Sequence, residues 1–148
     1  MNQMRFFAAA ALLFLGACSK ESPIPLADAQ SREMIRDTIK AYHEASDHKD
    51  MSAIKTLLDQ DVSLVIGPEE VVTGYENVLR VLKKRLDDVK GSPSTITGKE
   101  VIKIQGDIAL VTYIANVGTQ RGIVTAIYRH TKDNRWVILH LHDTWSPK

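Results

Sequence analysis

Residues 42–58 read YHEASDHKDMSAIKTLL and join two amphipathic helices. Upstream of this junction, apolar residues recur at helical spacing from Ser31 onward and predict one long helix. Its buried stripe comprises Met34, Ile35, Thr38, Ile39, Tyr42 and Ala45. Downstream, Asp50 is typical of a helix N-cap. A second, shorter helix follows, with Met51, Ile54, Leu57 and Leu58 on its inner face.

Residues 61–78, which read DVSLVIGPEEVVTGYENV, predict a strand followed by the start of a third helix. A strand over 62–68 stops at Gly67-Pro68, because this dipeptide interrupts regular structure. Thr73 and Glu76 have the spacing of a capping box and predict a third helix, which Gly91 ends. Its apolar stripe comprises Tyr75, Val78, Leu79, Leu82, Leu86 and Val89.

The remainder of the chain is rich in strands. Three β-type runs joined by short polar turns predict a meander of antiparallel strands. Helices followed by a sheet indicate an α+β fold. In residues 108–117 both the odd-numbered and the even-numbered positions are largely apolar, so we expect this strand to be covered on both faces. One face would contact the helices, and the other a second copy of the protein, which predicts a homodimer.

The N-terminal residues predict export. A basic start, a short apolar run over 6–15 and small residues before Cys18 are typical of a secretory signal over 1–17. The sequence "LGAC" resembles the bacterial lipobox, which implies lipidation of Cys18 and a membrane anchor. Residues 18–30, with two prolines, then form a tether, and the domain covers 31–148. A serine at position 19 resembles the outer-membrane sorting preference. This implies that the protein is located in the cell envelope, at the outer membrane and facing the periplasm.

Charge and length limit the possible partners. Arg5 is the only charged side chain in residues 1–17, so a mature chain would carry 18 basic and 18 acidic side chains. Because no basic surplus remains, we expect no nucleic-acid partner. The length suits a single domain.

The order of these elements resembles the nuclear transport factor 2-like, SnoaL-like superfamily. The resemblance is carried by residues 42–58, residues 61–78 and the terminal RWVILHLHDTWSP, residues 135–147. It implies a cone-shaped α+β fold, with N-terminal helices packed on a curved antiparallel sheet. It also implies a pocket between the helices and the sheet, lined by Tyr42, Tyr113, Tyr128, Asp143 and Trp145.

The resemblance gives weaker guidance on catalysis, because members include enzymes and non-catalytic binding modules. Isomerase-like relatives carry an acid at a position matching Ile66, which is aliphatic here. Cyclase-like relatives place an acid late in the sheet, and Asp143 is the candidate general base at that position. Dehydratase-like relatives use a His–Asp pair, for which His43 or His48 with Asp47 would be a strained choice.

His140 and His142 form a His-x-His pattern that invites a metal-site hypothesis. Alternation along a strand places both imidazoles on one face, with α-carbons about 6–7 Å apart, and Asp143 on the other. A third ligand would have to come from His43, His48 or His130, none of which matches well. We therefore expect no metal.

Instead we place His140 and His142, with Trp136 and Ile138, on a face of the sheet that forms an interface. This assignment assumes that Tyr128 pairs with Val137 across the last hairpin, with Ala126 opposite Leu139 and Val124 opposite Leu141.

The sequence thus favours an envelope-anchored, homodimeric module that binds a small apolar or mixed ligand, or a partner protein, without catalysis and without a cofactor. A lyase, isomerase or cyclase that uses Asp143 or a pocket histidine as general base is the alternative. A pocket with few ionisable groups, and the missing acid at Ile66, favour the binding module.

Overall fold

A computed structural model describes residues 28–66, 70–88 and 93–147 of the chain. The predicted signal peptide, Cys18 and most of the predicted tether lie outside these residues. The first helix begins at Asp28, within the predicted tether and ahead of Ser31. No helix in the described ranges is long and apolar enough to cross a bilayer.

Three helices occupy the first part of the fold. The junction between the first two helices is a tight turn in which Lys49 has a φ of 54°. The Oδ1 atom of Asp50 accepts from the backbone N–H groups of Ser52 and Ala53, both at 3.0 Å, which caps the second helix as predicted. The helices are α1 (Asp28–Asp47), α2 (Met51–Leu57) and α3 (Tyr75–Asp88).

A six-stranded sheet with the order β2-β1-β6-β5-β4-β3 completes the fold. The strands are β1 (Leu58–Ile66), β2 (Glu70–Thr73), β3 (Ser94–Gln105), β4 (Ile108–Val117), β5 (Gln120–His130) and β6 (Trp136–Pro147). The α+β prediction and the predicted β3–β6 meander are confirmed. The sheet is nevertheless mixed, because β1 pairs with β6 in parallel, whereas an antiparallel sheet was predicted.

Two boundaries near β1 differ from the prediction. β1 begins at Leu58, directly after α2, so Leu58 belongs to a strand rather than to the predicted helix. Residues 70–73 form the edge strand β2, which the sequence analysis missed. At the start of α3, Asn77 rather than Glu76 reaches back to Thr73, and its Nδ2 donates to the Thr73 carbonyl oxygen at 3.1 Å.

The pairing predicted for the last hairpin is wrong, because the register at the turn already differs by one residue and a bulge in β6 then adds a second. Tyr128 pairs with Ile138, but Ile127 pairs with His140, so Leu139 is an extra residue on β6. Ile138 therefore shares the inner face with Tyr128 and is fully buried. Trp136 is also buried, and its indole stacks on the His130 ring with centroids 5.0 Å apart. Ile138 and Trp136 thus do not share an exposed face with His140 and His142.

The two faces of the sheet differ in exposure. The inner face packs against the helices and carries most of the core, including Val111, Val124 and Ala126. The outer face has no cover among the described residues. The outward-facing Val101, Leu110 and Ile123 are 55%, 42% and 54% exposed.

Candidate functional site

A cavity of about 450 Å³ lies at one end of the inner face. The C-terminal part of α1 forms one wall, α3 the second, and the ends of β3, β4, β5 and β6 the third. Leu82 and Leu86 from α3 and Val117 from β4 supply apolar surface. The polar side chains in the wall include Tyr42, His43, Asp47, Arg85, Ser94, Asp143 and Trp145.

Asp143 forms the centre of a polar cluster in this cavity. Its Oδ2 accepts from Nη2 of Arg85 at 2.8 Å, and its Oδ1 accepts from Nη1 of the same guanidinium at 3.3 Å. Oδ2 also accepts from the indole Nε1 of Trp145 at 2.7 Å. The Asp143 side chain is 11% exposed and that of Arg85 is 32% exposed. The carboxylate is therefore sheltered, ion-paired and held from two sides.

Tyr42 lies beside this cluster on α1. Burial, and then the negative charge of Asp143, raise the pKa of Tyr42 to about 12. The hydroxyl consequently keeps its proton at neutral pH and acts only as a neutral hydrogen-bonding group.

His43, the next residue along α1, is bound at both ring nitrogens. Nδ1 is 2.8 Å from Oγ of Ser94, and Nε2 is 3.0 Å from the hydroxyl of Tyr113. Burial lowers the pKa of His43, although the nearby charge of Asp47 opposes this shift. The imidazole is therefore neutral near pH 7, and neither nitrogen faces the cavity without a partner.

Asp47, at the end of α1, joins two elements of the cavity wall. Its Oδ1 accepts from the backbone N–H of Ser94 at 2.8 Å, which ties the end of α1 to the start of β3. Because His43 binds the hydroxyl of the same serine, Ser94 connects β3 to α1 through both its backbone and its side chain.

The five predicted pocket residues separate into two groups. Tyr42, Asp143 and Trp145 line the cavity, and the structure brings them together. Tyr113 is buried behind the wall, where its hydroxyl lies 3.0 Å from Nε2 of His43. Tyr128 lies in the core, because it pairs with Ile138 near the opposite end of β5.

His140 and His142 lie on the outer face. They pair with Ile127 and Thr125, whereas Asp143 pairs with the buried Val124, so the imidazoles and the carboxylate point to opposite faces. Nδ1 of His140 is 2.8 Å from Oγ of Ser63. Burial, and then the proximity of His142, lower the pKa of His140. Within residues 28–66, 70–88 and 93–147, no group of three or more His, Cys, Asp or Glu side chains could hold a metal ion.

Arg85 is the charged residue of the central cavity cluster that sequence reasoning missed. It lies within the charged run KKRLDD, residues 83–88. A signal was nevertheless present, because Arg85 lies three residues after Leu82 and seven after Val78, on the apolar stripe of α3. An arginine on that stripe indicates a buried partner charge.

Comparisons with known proteins agree with this fold. A family model described as a SnoaL-like domain matches residues 35–144. No protein of curated function matches the chain.

Solved structures supply fold-level likeness. A proposed dehydratase of the nuclear transport factor 2-like family from Streptomyces avermitilis has a TM-score of 0.70 and 21% identity, covering 82% of this chain and 99% of that one. A nuclear transport factor 2-like superfamily protein from Salmonella enterica has a TM-score of 0.72 and 15% identity, covering 82% and 95%. A proposed ketosteroid isomerase from Shewanella frigidimarina has a TM-score of 0.65 and 22% identity, covering 76% and 94%. At these identities the likeness establishes the fold alone.

Proposed function

The chain belongs to the SnoaL-like domain family, and we propose that it is a lipid-anchored envelope protein whose cavity binds a small apolar or mixed ligand without converting it. The observation that carries the non-catalytic role is the state of the ionisable groups in the wall. Asp143 is held by Arg85 and Trp145, and both nitrogens of His43 are hydrogen-bonded. An ion-paired carboxylate is a weaker base than a free one, and an imidazole bonded at both nitrogens must first lose a partner, so neither group is poised as a general base.

The shape and chemistry of the cavity support small-ligand binding. A volume of about 450 Å³ lies within the range of small-molecule sites, which typically run from about 300 to 1,000 Å³. Such sites combine apolar walls with a few fixed polar groups. Here Leu82, Leu86 and Val117 supply the apolar walls, and the Arg85–Asp143–Trp145 cluster supplies the fixed polar group.

Anchoring at the periplasmic side of the outer membrane rests on the sequence around Cys18. Replacing Cys18 by Ala should abolish lipidation and release the domain into the aqueous phase of a detergent partition. Replacing Cys18 by Ser is a second test, because serine equally lacks the thiol, and it should give the same result. Unchanged partitioning of both variants would refute the lipid anchor.

The outer face of the sheet supports a homodimer. Paired residues from four strands form apolar and hydroxyl-bearing rows across this face, one of them running Val101, Thr112, Thr125, His142. Exposed apolar area of this kind is typical of an interaction surface. In this proposal His140 and His142 contribute polar contacts at the interface.

The ligand-binding proposal can be tested with the lipoprotein purified from its own envelope. Native mass spectrometry of the released protein should show a bound small molecule whose mass is unchanged after prolonged incubation. Replacing Leu86 by Trp should fill the cavity and remove that molecule. Val71→Trp is the matched control, because Val71 is 68% exposed on the edge strand and lies outside the cavity wall. A ligand that leaves as a chemically altered product would contradict the non-catalytic role.

One observation favours a second candidate, a lyase, isomerase or cyclase. His43 is neutral, buried and oriented by Ser94 and Tyr113, and such an imidazole could accept a proton if a substrate displaced Ser94 from Nδ1. Asp143 is less suited as the base, because it is ion-paired. For the enzyme, His43→Gln would abolish turnover while ligand still bound; for the binding module, no turnover would be found in the unmodified protein.

A further inference from the structure

The charges of the cavity wall determine which net charge of the ligand is favourable. Among the described wall residues, two cations, Lys49 and Arg85, accompany two carboxylates, Asp47 and Asp143. Arg85 and Asp143 already neutralise each other across 2.8 Å, and Asp47 is bound to the backbone of Ser94. The cavity therefore offers no surplus charge for an ionic ligand.

The Arg85 guanidinium nevertheless retains donor capacity. Its two bonds to Asp143 use Nη1 and Nη2, which leaves Nε–H and further N–H groups without a partner among the described residues. Asp143, which is itself held by Trp145, fixes the guanidinium in place, so these donors have a fixed direction. A third of the Arg85 side chain remains exposed, at 32%, and the residue lines the cavity.

We propose that the cavity selects an uncharged amphiphile, a molecule with an apolar body and one carbonyl or hydroxyl oxygen that accepts a hydrogen bond from Arg85. The apolar body contacts Leu82, Leu86 and Val117, and Asp143 acts as a positioning residue that cancels the charge of Arg85. This inference rests on the proposed ligand-binding function.

The physical reason is the cost of an unbalanced charge in a sheltered site. A carboxylate ligand beside the neutral Arg85–Asp143 pair would leave one negative charge without compensation, and an ammonium ligand would leave one positive charge. Groups in a partly buried site lose much of their hydration, so either excess charge is unfavourable. An uncharged oxygen satisfies a donor of Arg85 and leaves the balance unchanged.

Three probes with one apolar body test the proposal: 2-naphthylmethanol, 2-naphthoate and 2-naphthylmethylamine. Each is titrated by calorimetry at pH 7.5 into the full lipidated chain held in amphipol, with titration into empty amphipol subtracted. The unmodified protein should bind the alcohol at least about tenfold more tightly than either ion, a ratio that calorimetry resolves readily.

Charge-changing variants should switch this preference. Asp143→Asn leaves the Arg85 cation uncompensated, so 2-naphthoate should become the tightest of the three probes. Arg85→Met leaves the Asp143 carboxylate uncompensated, so 2-naphthylmethylamine should become the tightest. The matched controls are Asp87→Asn and Lys83→Met, which remove the same kinds of charge from the exposed 2.6 Å ion pair on α3. Both controls should keep the alcohol preference.

The outcomes separate this inference from the proposed function. Tightest binding of an ion by the unmodified protein would overturn the inference and leave the ligand-binding function standing, even if neither variant folds. Folded variants that keep the alcohol preference would also overturn it. Failure of all three probes to bind the unmodified protein would overturn both.

Discussion

His43 lies between two hydroxyl groups on the inner side of α1, and its neutral state contributes to how the fold responds to acid. In the unfolded chain the imidazole titrates near its ordinary value of 6.5, whereas burial lowers its pKa in the folded protein. Between these two values the unfolded chain binds a proton that the folded chain does not. The contribution of His43 to stability is therefore fully present above pH 6.5 and declines as the pH falls below it.

This linkage predicts the behaviour of His43→Gln. The free energy of unfolding of the unmodified protein should fall between pH 7 and pH 5, and the variant should show a smaller fall, as measured by urea titration at each pH. Some of the fall should remain, because the pKa of His140 is lowered as well. His48→Gln is the control, since His48 is exposed in the turn after α1 and its Nδ1 lies 2.8 Å from the Glu44 carbonyl oxygen. Equal pH profiles for the unmodified protein and His43→Gln would contradict the prediction.

The cavity shows what single residues in a sequence can and cannot reveal. Tyr42, Asp143 and Trp145 could be named in advance from the family resemblance. The ion pair could not, because it joins Arg85 to Asp143, which lie 58 positions apart and on different elements. A helical pattern reports which residues share a face, but it does not report which charge on another element meets them.

At the scale of elements, β6 shows where pattern analysis ends. Period-two alternation predicts faces correctly only while the register is continuous. Leu139 adds one residue, so Ile138 and His140 fall on opposite faces although they are two apart. No residue type marks the bulge, because Ile138, Leu139 and Leu141 are all aliphatic. The helices and the meander were predictable, because apolar residues recur at helical spacing over several turns and because several β-type runs follow one another.

The pairing of β5 with β6 also explains a glycine. Gly122 pairs with Trp145, and a Cβ atom at this position would lie 2.6 Å from Cε3 of the indole and 2.8 Å from the Thr144 carbonyl oxygen. The indole therefore lies directly over the glycine, from where its Nε1 reaches Asp143.

We predict that Gly122→Ala displaces Trp145 and destabilises the fold by about 1–3 kcal/mol, the usual range for overpacking. Urea unfolding would measure the loss, and tryptophan fluorescence would report the displaced indole. The same substitution in a Trp145→Ala background is the control. It should cost less there, because the closest contact has been removed. An equal cost in both backgrounds would show that the indole is not responsible.

At the scale of the whole molecule, the outer face of the sheet is the apolar surface through which we propose that two copies associate. Ile123 is 54% exposed on this face, whereas Ile96, 41% exposed, lies on the inner face of β3 near the sheet edge. The two isoleucines therefore provide a matched pair in which the same side chain lies on different surfaces.

We predict that Ile123→Asp weakens self-association by at least about tenfold, because it places a charge within an apolar interface. Ile96→Asp should leave self-association unchanged. Analytical ultracentrifugation of the detergent-solubilised chain across a concentration series would measure both dissociation constants. A monomeric unmodified protein, or equal effects of the two substitutions, would exclude the outer face as the interface.

The strand order has a consequence for how the fold is assembled. β6 lies between β1 and β5, so the hairpin of β1 and β2 and the ribbon of β3, β4 and β5 share no strand pairing until residues 136–147 insert between them. A nascent chain lacking those residues would hold two partial sheets, each with an open edge prone to aggregation. Closure of the sheet must therefore await synthesis of residues 136–147, whatever order the other elements form in.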